Sequence, residues 1–117
     1  MRWPSGRPSP GAETVGTAVQ SHYPERFERD MATTEAEWLQ RLPGAMGPHT
    51  WRRQDRGVSV QIEGGTLHID WHDLPARRIA LLRLPRLGVR FVFEAVSEPA
   101  RQNFMRYFDL YMQRGGG

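Results

Sequence analysis

Cysteine is absent from the 117-residue chain, lysine is absent as well, and asparagine occurs once, at Asn103. Without cysteine there is no disulfide, thiolate metal centre, iron–sulfur cluster or cysteine nucleophile. Without lysine there is no Schiff-base chemistry and no P-loop, whose phosphate cradle needs that side chain. Long apolar runs are missing too. The longest clean one is Ile79-Ala80-Leu81-Leu82, far below the roughly 18 residues of a membrane helix. The opening Met1-Arg2-Trp3-Pro4-Ser5-Gly6 carries an early Arg but no apolar stretch behind it, so no secretory signal, no membrane association and a cytoplasmic location are expected.

What is present reads as one domain of ordinary composition. Apolar residues make up 38% of the chain and the formal net charge is +3, while the length is too short for two separate cores. All 16 basic residues are Arg, and Gly and Pro number 12 and 9. That bias suits a G+C-rich coding sequence. A pI near 10.2 therefore reflects Arg standing in for Lys rather than an electrostatic footprint for nucleic acid.

Residues 1–30 carry Pro4, Pro8, Pro10 and Pro24 with Gly6, Gly11 and Gly16, and their four Arg balance four acids. Such a segment buries too little apolar surface to offset its ordering entropy, so it reads as a flexible tail in which only Trp3, Tyr23 and Phe27 offer anything to dock. Met31-Ala32-Thr33-Thr34 has the form of a second translation start, which makes residues 31–117 the expected single α+β domain.

Within it, Thr34-Glu35-Ala36-Glu37 fits a capping box, and Trp38, Leu39 and Leu42 form the stripe of a two-turn helix stopped by Pro43-Gly44. Thr50–Gln54 suits a short edge strand before a turn at Asp55-Arg56-Gly57. In Val58–Trp71, apolar residues alternate on both sides of Gly64-Gly65, a hairpin signal that would pair Ile62 with Leu67, Val60 with Ile69 and Val58 with Trp71. A break at Leu74-Pro75 and two further strands, 77–84 and 87–96, meeting at Pro85-Arg86 complete the sheet. Ser97-Glu98-Pro99 starts a helix running to about Arg114, with Ala100, Phe104, Tyr107, Phe108 and Tyr111 on its apolar side and Gly115 as its stop. The expected architecture is a two-layer α+β domain: an antiparallel meander of four to five strands packed by the C-terminal amphipathic helix, with a short N-terminal helix. Trp71 and Phe108 lie on the stripes of their elements and read as core.

The chemistry-bearing candidates are few. His68, Asp70 and His72 project from one side of a strand with metal-ligand chemistry, yet at about 3.3 Å per residue the two imidazoles stand roughly 13 Å apart, too far to share one ion on a regular strand. A solvated polar face is the plainer reading, and no metal, cofactor or catalytic residue is expected. No Gly-x-Ser-x-Gly elbow or dinucleotide fingerprint occurs. Arg77, Arg78, Arg83, Arg86 and Arg90 gather in the later strands, where they suit phosphates or a partner's carboxylates. Ile79, Leu81 and Val92 would lie beside Arg83 and Arg90 on a face that one helix layer leaves uncovered. Arg114-Gly115-Gly116-Gly117 resembles the Arg-Gly-Gly tail of ubiquitin-like modifiers and sulfur carriers, but here it follows a helix instead of a strand and reads as a helix end. The functional expectation is a small non-enzymatic protein-interaction or self-associating module, with Leu81, Arg83, Arg90 and Val92 as candidate contact residues. Arg-mediated binding of nucleic acid or anions is the alternative, and a small metal-dependent enzyme using the His68/Asp70/His72 face is the second alternative.

Overall fold

The computed structural model describes residues 22–116. Its elements run β1 (Arg26–Met31), α1 (Glu35–Ala45), β2 (Trp51–Gln54), β3 (Gly57–Ile62), β4 (Gly65–Ile79), β5 (Leu82–Glu94) and α2 (Glu98–Gly116). The five strands form one antiparallel sheet in the order β1-β5-β4-β3-β2. Both helices lie over the face that carries Val60, Leu67, Ile69, Trp71, Val89 and Phe91, all buried. The result is a two-layer α+β domain.

The tail expectation is corrected for residues 22–30. Residues 1–21, Trp3 included, lie outside the described residues. Arg26–Met31 is a strand on β5, with Phe27 opposite Phe91 and Met31 opposite Leu87. Composition misleads here because the segment is held by partners distant in sequence, Phe27 and Met31 packing on the core beside a charged contact from Arg29 to α2. Arg29 points to the core side, where its guanidinium donates to both Asp109 carboxylate oxygens at 2.6 and 3.0 Å. The same group lies over the rings of Phe27 and Phe91 at 5.3 and 5.4 Å. Burying a charge is tolerated when it is paired this closely. Tyr23 is buried and Phe27 stacks on Phe91 at 4.7 Å.

The capping box forms as the residues dictate: Glu37 N–H donates to Thr34 Oγ1 at 3.1 Å and Thr34 N–H to Glu37 Oε1 at 3.3 Å. The helix does not stop at Pro43-Gly44 but includes both and ends at Ala45. Gly44 is required by contact, since a β-carbon there would strike the Tyr111 ring of α2. Trp38 of α1 meets Trp71 of the sheet and Phe108 of α2 edge-on at 5.6 and 6.1 Å, and Phe108 meets Phe91 of the sheet at 5.5 Å. Ala100, Phe104 and Phe108 are buried as their spacing requires. Tyr107 is exposed and Met105 takes a buried place instead.

The first hairpin closes one step earlier than Gly64-Gly65. Its turn is Glu63-Gly64, both with positive φ (45° and 88°), and the facing pairs are Ile62 with Gly65, Val60 with Leu67 and Val58 with Ile69. The shift is two residues, so every side chain keeps its expected face. Gly65 opens β4 opposite Ile62, and glycine is needed there because a β-carbon would collide with the carbonyl of Ala95.

The second hairpin differs more. β4 passes straight through Leu74-Pro75 and β5 through Pro85-Arg86, and the turn falls at Ala80-Leu81, where Ala80 adopts φ 56°. Leu74 pairs Arg86 and Arg77 pairs Leu84, which leaves Pro75 and Ala76 opposite Pro85 in a bulge. Two prolines in register satisfy a sheet only where no ladder hydrogen bond is needed, and a bulge supplies that place. At the chain's end, α2 continues through Gly115 to Gly116 rather than stopping at Gly115.

Candidate functional site

The β4–β5 ladder outlasts its neighbours. β1 ends at Met31 opposite Leu87, and β3 begins at Gly57 opposite Asp70. Beyond them, residues 74–86 continue as a two-stranded arm. Its root is fixed by Arg86, which donates to both Asp30 carboxylate oxygens at 2.6–3.1 Å and to the Pro75 carbonyl at 2.9 Å. This pairing holds the Asp30 carboxyl below its usual range, the Arg86 hydrogen bonds outweighing the partial burial that opposes them. A second brace is Arg56, which donates to Glu35 at 2.9 Å and Asp73 at 3.2 Å.

The outer part of the arm carries the largest exposed apolar side chains of the strands: Ile79 at 49%, Leu82 at 61% and Leu81 at 100% exposure. Ile79 and Leu82 are cross-strand partners, so they share one side of the ribbon, and Arg77 pairs Leu84 on that side. Arg78 stands directly opposite Arg83 on the other side. Among the described residues no carboxylate lies within ion-pair distance of Arg78 or Arg83. Like charges opposite one another in a ladder repel.

The helix-free face of the sheet is different in kind. Across it run Arg26, Glu28 and Asp30 of β1, Arg90 and Val92 of β5, and His68, Asp70 and His72 of β4. Two of its carboxylates, Asp70 and Glu94, have partners on the same face. Arg90 donates to Asp70 at 3.2 Å, and His68 Nε2 lies 3.1 Å from Glu94 Oε1. His72 lies across Gly88, its ring occupying the space a side chain there would fill. The three candidate ligands are thus drawn to three different neighbours, and among the described residues no three His, Asp or Glu side chains converge. Gly57 leaves an open depression of about 270 Å³ between Arg52, Ser59, His68 and Asp70, without a buried polar group aimed into it.

The four candidate contact residues therefore separate. Leu81 and Arg83 are exposed on the arm, whereas Arg90 is paired and Val92 is half-buried on the polar face between Arg26 and His68. The expectation that Ile79, Leu81 and Val92 share one face with Arg83 and Arg90 is corrected. It assumed a turn at Pro85-Arg86, and moving the turn to Ala80-Leu81 changes which residues oppose each other. The surplus apolar surface sits at the arm tip instead of on a second sheet face. Reading the strands singly missed the Ile79–Leu82 and Arg78–Arg83 pairs. The signal for them is the near-symmetric placing of Pro75 and Pro85 about Ala80-Leu81.

No helix among the described residues is long and apolar enough to cross a membrane. Compared with known proteins, the chain matches no protein-family model and no curated protein.

Proposed function

We propose that this chain is a non-enzymatic binding module that captures a protein partner, or another copy of itself, through the β4–β5 arm, in the cytoplasm and without a cofactor. The observation that carries the reading is the exposure of Ile79, Leu81 and Leu82 together at the end of a projecting ribbon. Exposed apolar side chains gathered in one place mark interaction sites, and affinity in such sites concentrates in a few anchors. Leu81 is the anchor and Arg83 its polar neighbour. Arg90 and Val92 belong to the flanking sheet face and contribute less, because Arg90 is already committed to Asp70.

A second reading, in which the arm lies along nucleic acid, draws on the Arg78–Arg83 pair. The cations it has to work with on the arm are Arg77, Arg78 and Arg83, since Arg86, Arg90 and Arg56 are engaged by carboxylates of the same chain.

The test is affinity purification of the full chain from its native cells beside a Leu81→Asp variant, with sedimentation of both. A protein retained in stoichiometric amount, or self-association, that Leu81→Asp abolishes at unchanged melting temperature supports the reading. A monomer that retains nothing, or a salt-sensitive complex with DNA or RNA lost in Arg83→Ala, overturns it.

A further inference from the structure

We infer that the occupant of the arm is a different protein presenting an acidic cleft with an apolar floor, into which the arm inserts. The inference rests on the reading of the arm as a protein-binding element and names the chemistry of what it binds. Its first support is charge. From residue 74 to residue 93 the chain has five Arg and no acid. Arg86 and Arg90 are spent on Asp30 and Asp70, but Arg78 and Arg83 face each other across the ladder, and no carboxylate among the described residues pairs with either. A pair of opposed guanidinium groups is satisfied by carboxylates brought from outside, which both guanidinium forks accept bidentately.

The second support is area. From Leu74 to Ile79 the ribbon is roughly 20 Å long and about 10 Å wide, so one side offers on the order of 200 Å². A standard interface takes about 800 Å² from each partner. Docking on one side falls short, while insertion into a cleft also covers the second side, both edges and the tip. The two sides differ in kind, Ile79 and Leu82 on one and Arg78 and Arg83 on the other. The cleft must accordingly be apolar at its floor, where Leu81 arrives, and on the inner part of the wall facing Ile79 and Leu82, and acidic on the other wall and at the rim that Arg77 reaches.

A second copy of this chain does not meet that description. Two arms packed together would bring Arg77, Arg78 and Arg83 against their own kind, which costs binding rather than supporting it. On the helix-free sheet face Asp70 and Glu94 already have partners within the chain, and its apolar strand residues, Val92 and Leu74, are half-buried, so it offers no apolar floor.

The test places a photo-crosslinking amino acid at position 81 of the full chain in its native cells and maps the crosslinked peptide. The same chain is then compared with Arg78→Glu/Arg83→Glu, each variant checked by thermal melting. The expected result is one crosslinked protein other than this chain, through an apolar peptide bordered by Asp and Glu. Its yield should fall on the order of tenfold or more with the charge reversal, and recover when an adjoining partner acid is changed to Arg. A crosslink to one protein whose yield ignores the charge reversal overturns the acidic cleft while leaving the arm as the binding element. A crosslink to this chain itself overturns the choice of a different protein. Crosslinking to nucleic acid or lipid, or to nothing, overturns both proposals.

Discussion

The hydroxyl of Tyr23 donates to Asp109 Oδ2 at 2.6 Å, across 86 residues of chain. With Arg29 on the same carboxylate, this bond ties the segment before β1 to the middle of α2. Arg101 of α2 adds a hydrogen bond to the Tyr23 carbonyl at 3.0 Å. A chain beginning at Met31 would lose all three and expose one side of β5. Its melting midpoint should fall by well over 4 °C, the shift that about 1 kcal/mol produces in a domain of this size. Equal midpoints by calorimetry would refute this. Tyr23→Phe, which removes one hydrogen bond to a charged group, should cost about 1.5 to 3 kcal/mol.

Two tryptophans of the core separate packing from polar satisfaction. Trp71 donates its indole N–H to Glu35 Oε2 at 2.8 Å, whereas the buried Trp38 Nε1 finds no partner among the described residues. Replacing either by Phe removes similar apolar area. Trp71→Phe breaks a bond to a carboxylate and Trp38→Phe removes an unsatisfied donor, so the first should be the more destabilising by about 1 to 3 kcal/mol. Urea midpoints of the two variants decide it, and equal values would remove Glu35 from the account.

Acid and alkali should act through different residues. Glu35 is held below its ordinary pKa of 4.5, first by Arg56 and then by the Trp71 indole, and Asp30 below its ordinary 3.8 by Arg86. The folded state favours both carboxylates, so their contribution is complete above the ordinary values and disappears as pH falls through the lowered ones. Tyr23 is shifted upward, chiefly by burial and then by its bond to Asp109. Its contribution is complete below its ordinary value of 10.0 and drains away as pH rises beyond it. Denaturant titrations should show Tyr23→Phe flattening the alkaline limb only, and Glu35→Gln shrinking the acid limb only.

Adjacent glycines at the first hairpin should respond unequally to alanine. At Gly64 nothing lies within 4 Å of an added β-carbon, so the cost is that of φ +88° in a residue with a side chain, about 1 to 2 kcal/mol. At Gly65 the new carbon meets the Ala95 and Glu94 carbonyls, and the backbone of β5 must move. Gly65→Ala should cost about 3 kcal/mol or more. The order of the two melting temperatures is the measurement, and a reversed order would contradict the assigned turn.

Changes at the arm tip should leave the fold alone. Leu81 is wholly exposed, and substitutions at such positions usually change stability by no more than about 0.5 kcal/mol. Leu81→Asp should therefore melt with the parent, while Leu67→Asp, which places a charge in the core, should not fold. A large loss of stability in Leu81→Asp would show that the tip packs on the body.

Local pattern was enough to determine much of this molecule. Thr34 and Glu37 carry their capping box within four residues, and the alternation of Val58 to Trp71 sets which side chains turn inward whatever the register. The spacing of Ala100, Phe104 and Phe108 fixes the buried side of α2. Those features depend on neighbours a few positions away, and their periods are written in the chain. The tertiary structure decided what no local period encodes. Arg26–Met31 is a strand because Asp109 and Phe91, distant in sequence, meet Arg29 and Phe27. The two prolines at 75 and 85 stop neither strand because each is opposite the other, which makes an arm out of what reads locally as two breaks. Its apolar tip and opposed arginines, the basis of the proposed binding site, exist only once that pairing is made. A pairing across the sheet is a relation between segments, and neither segment's residues specify it alone.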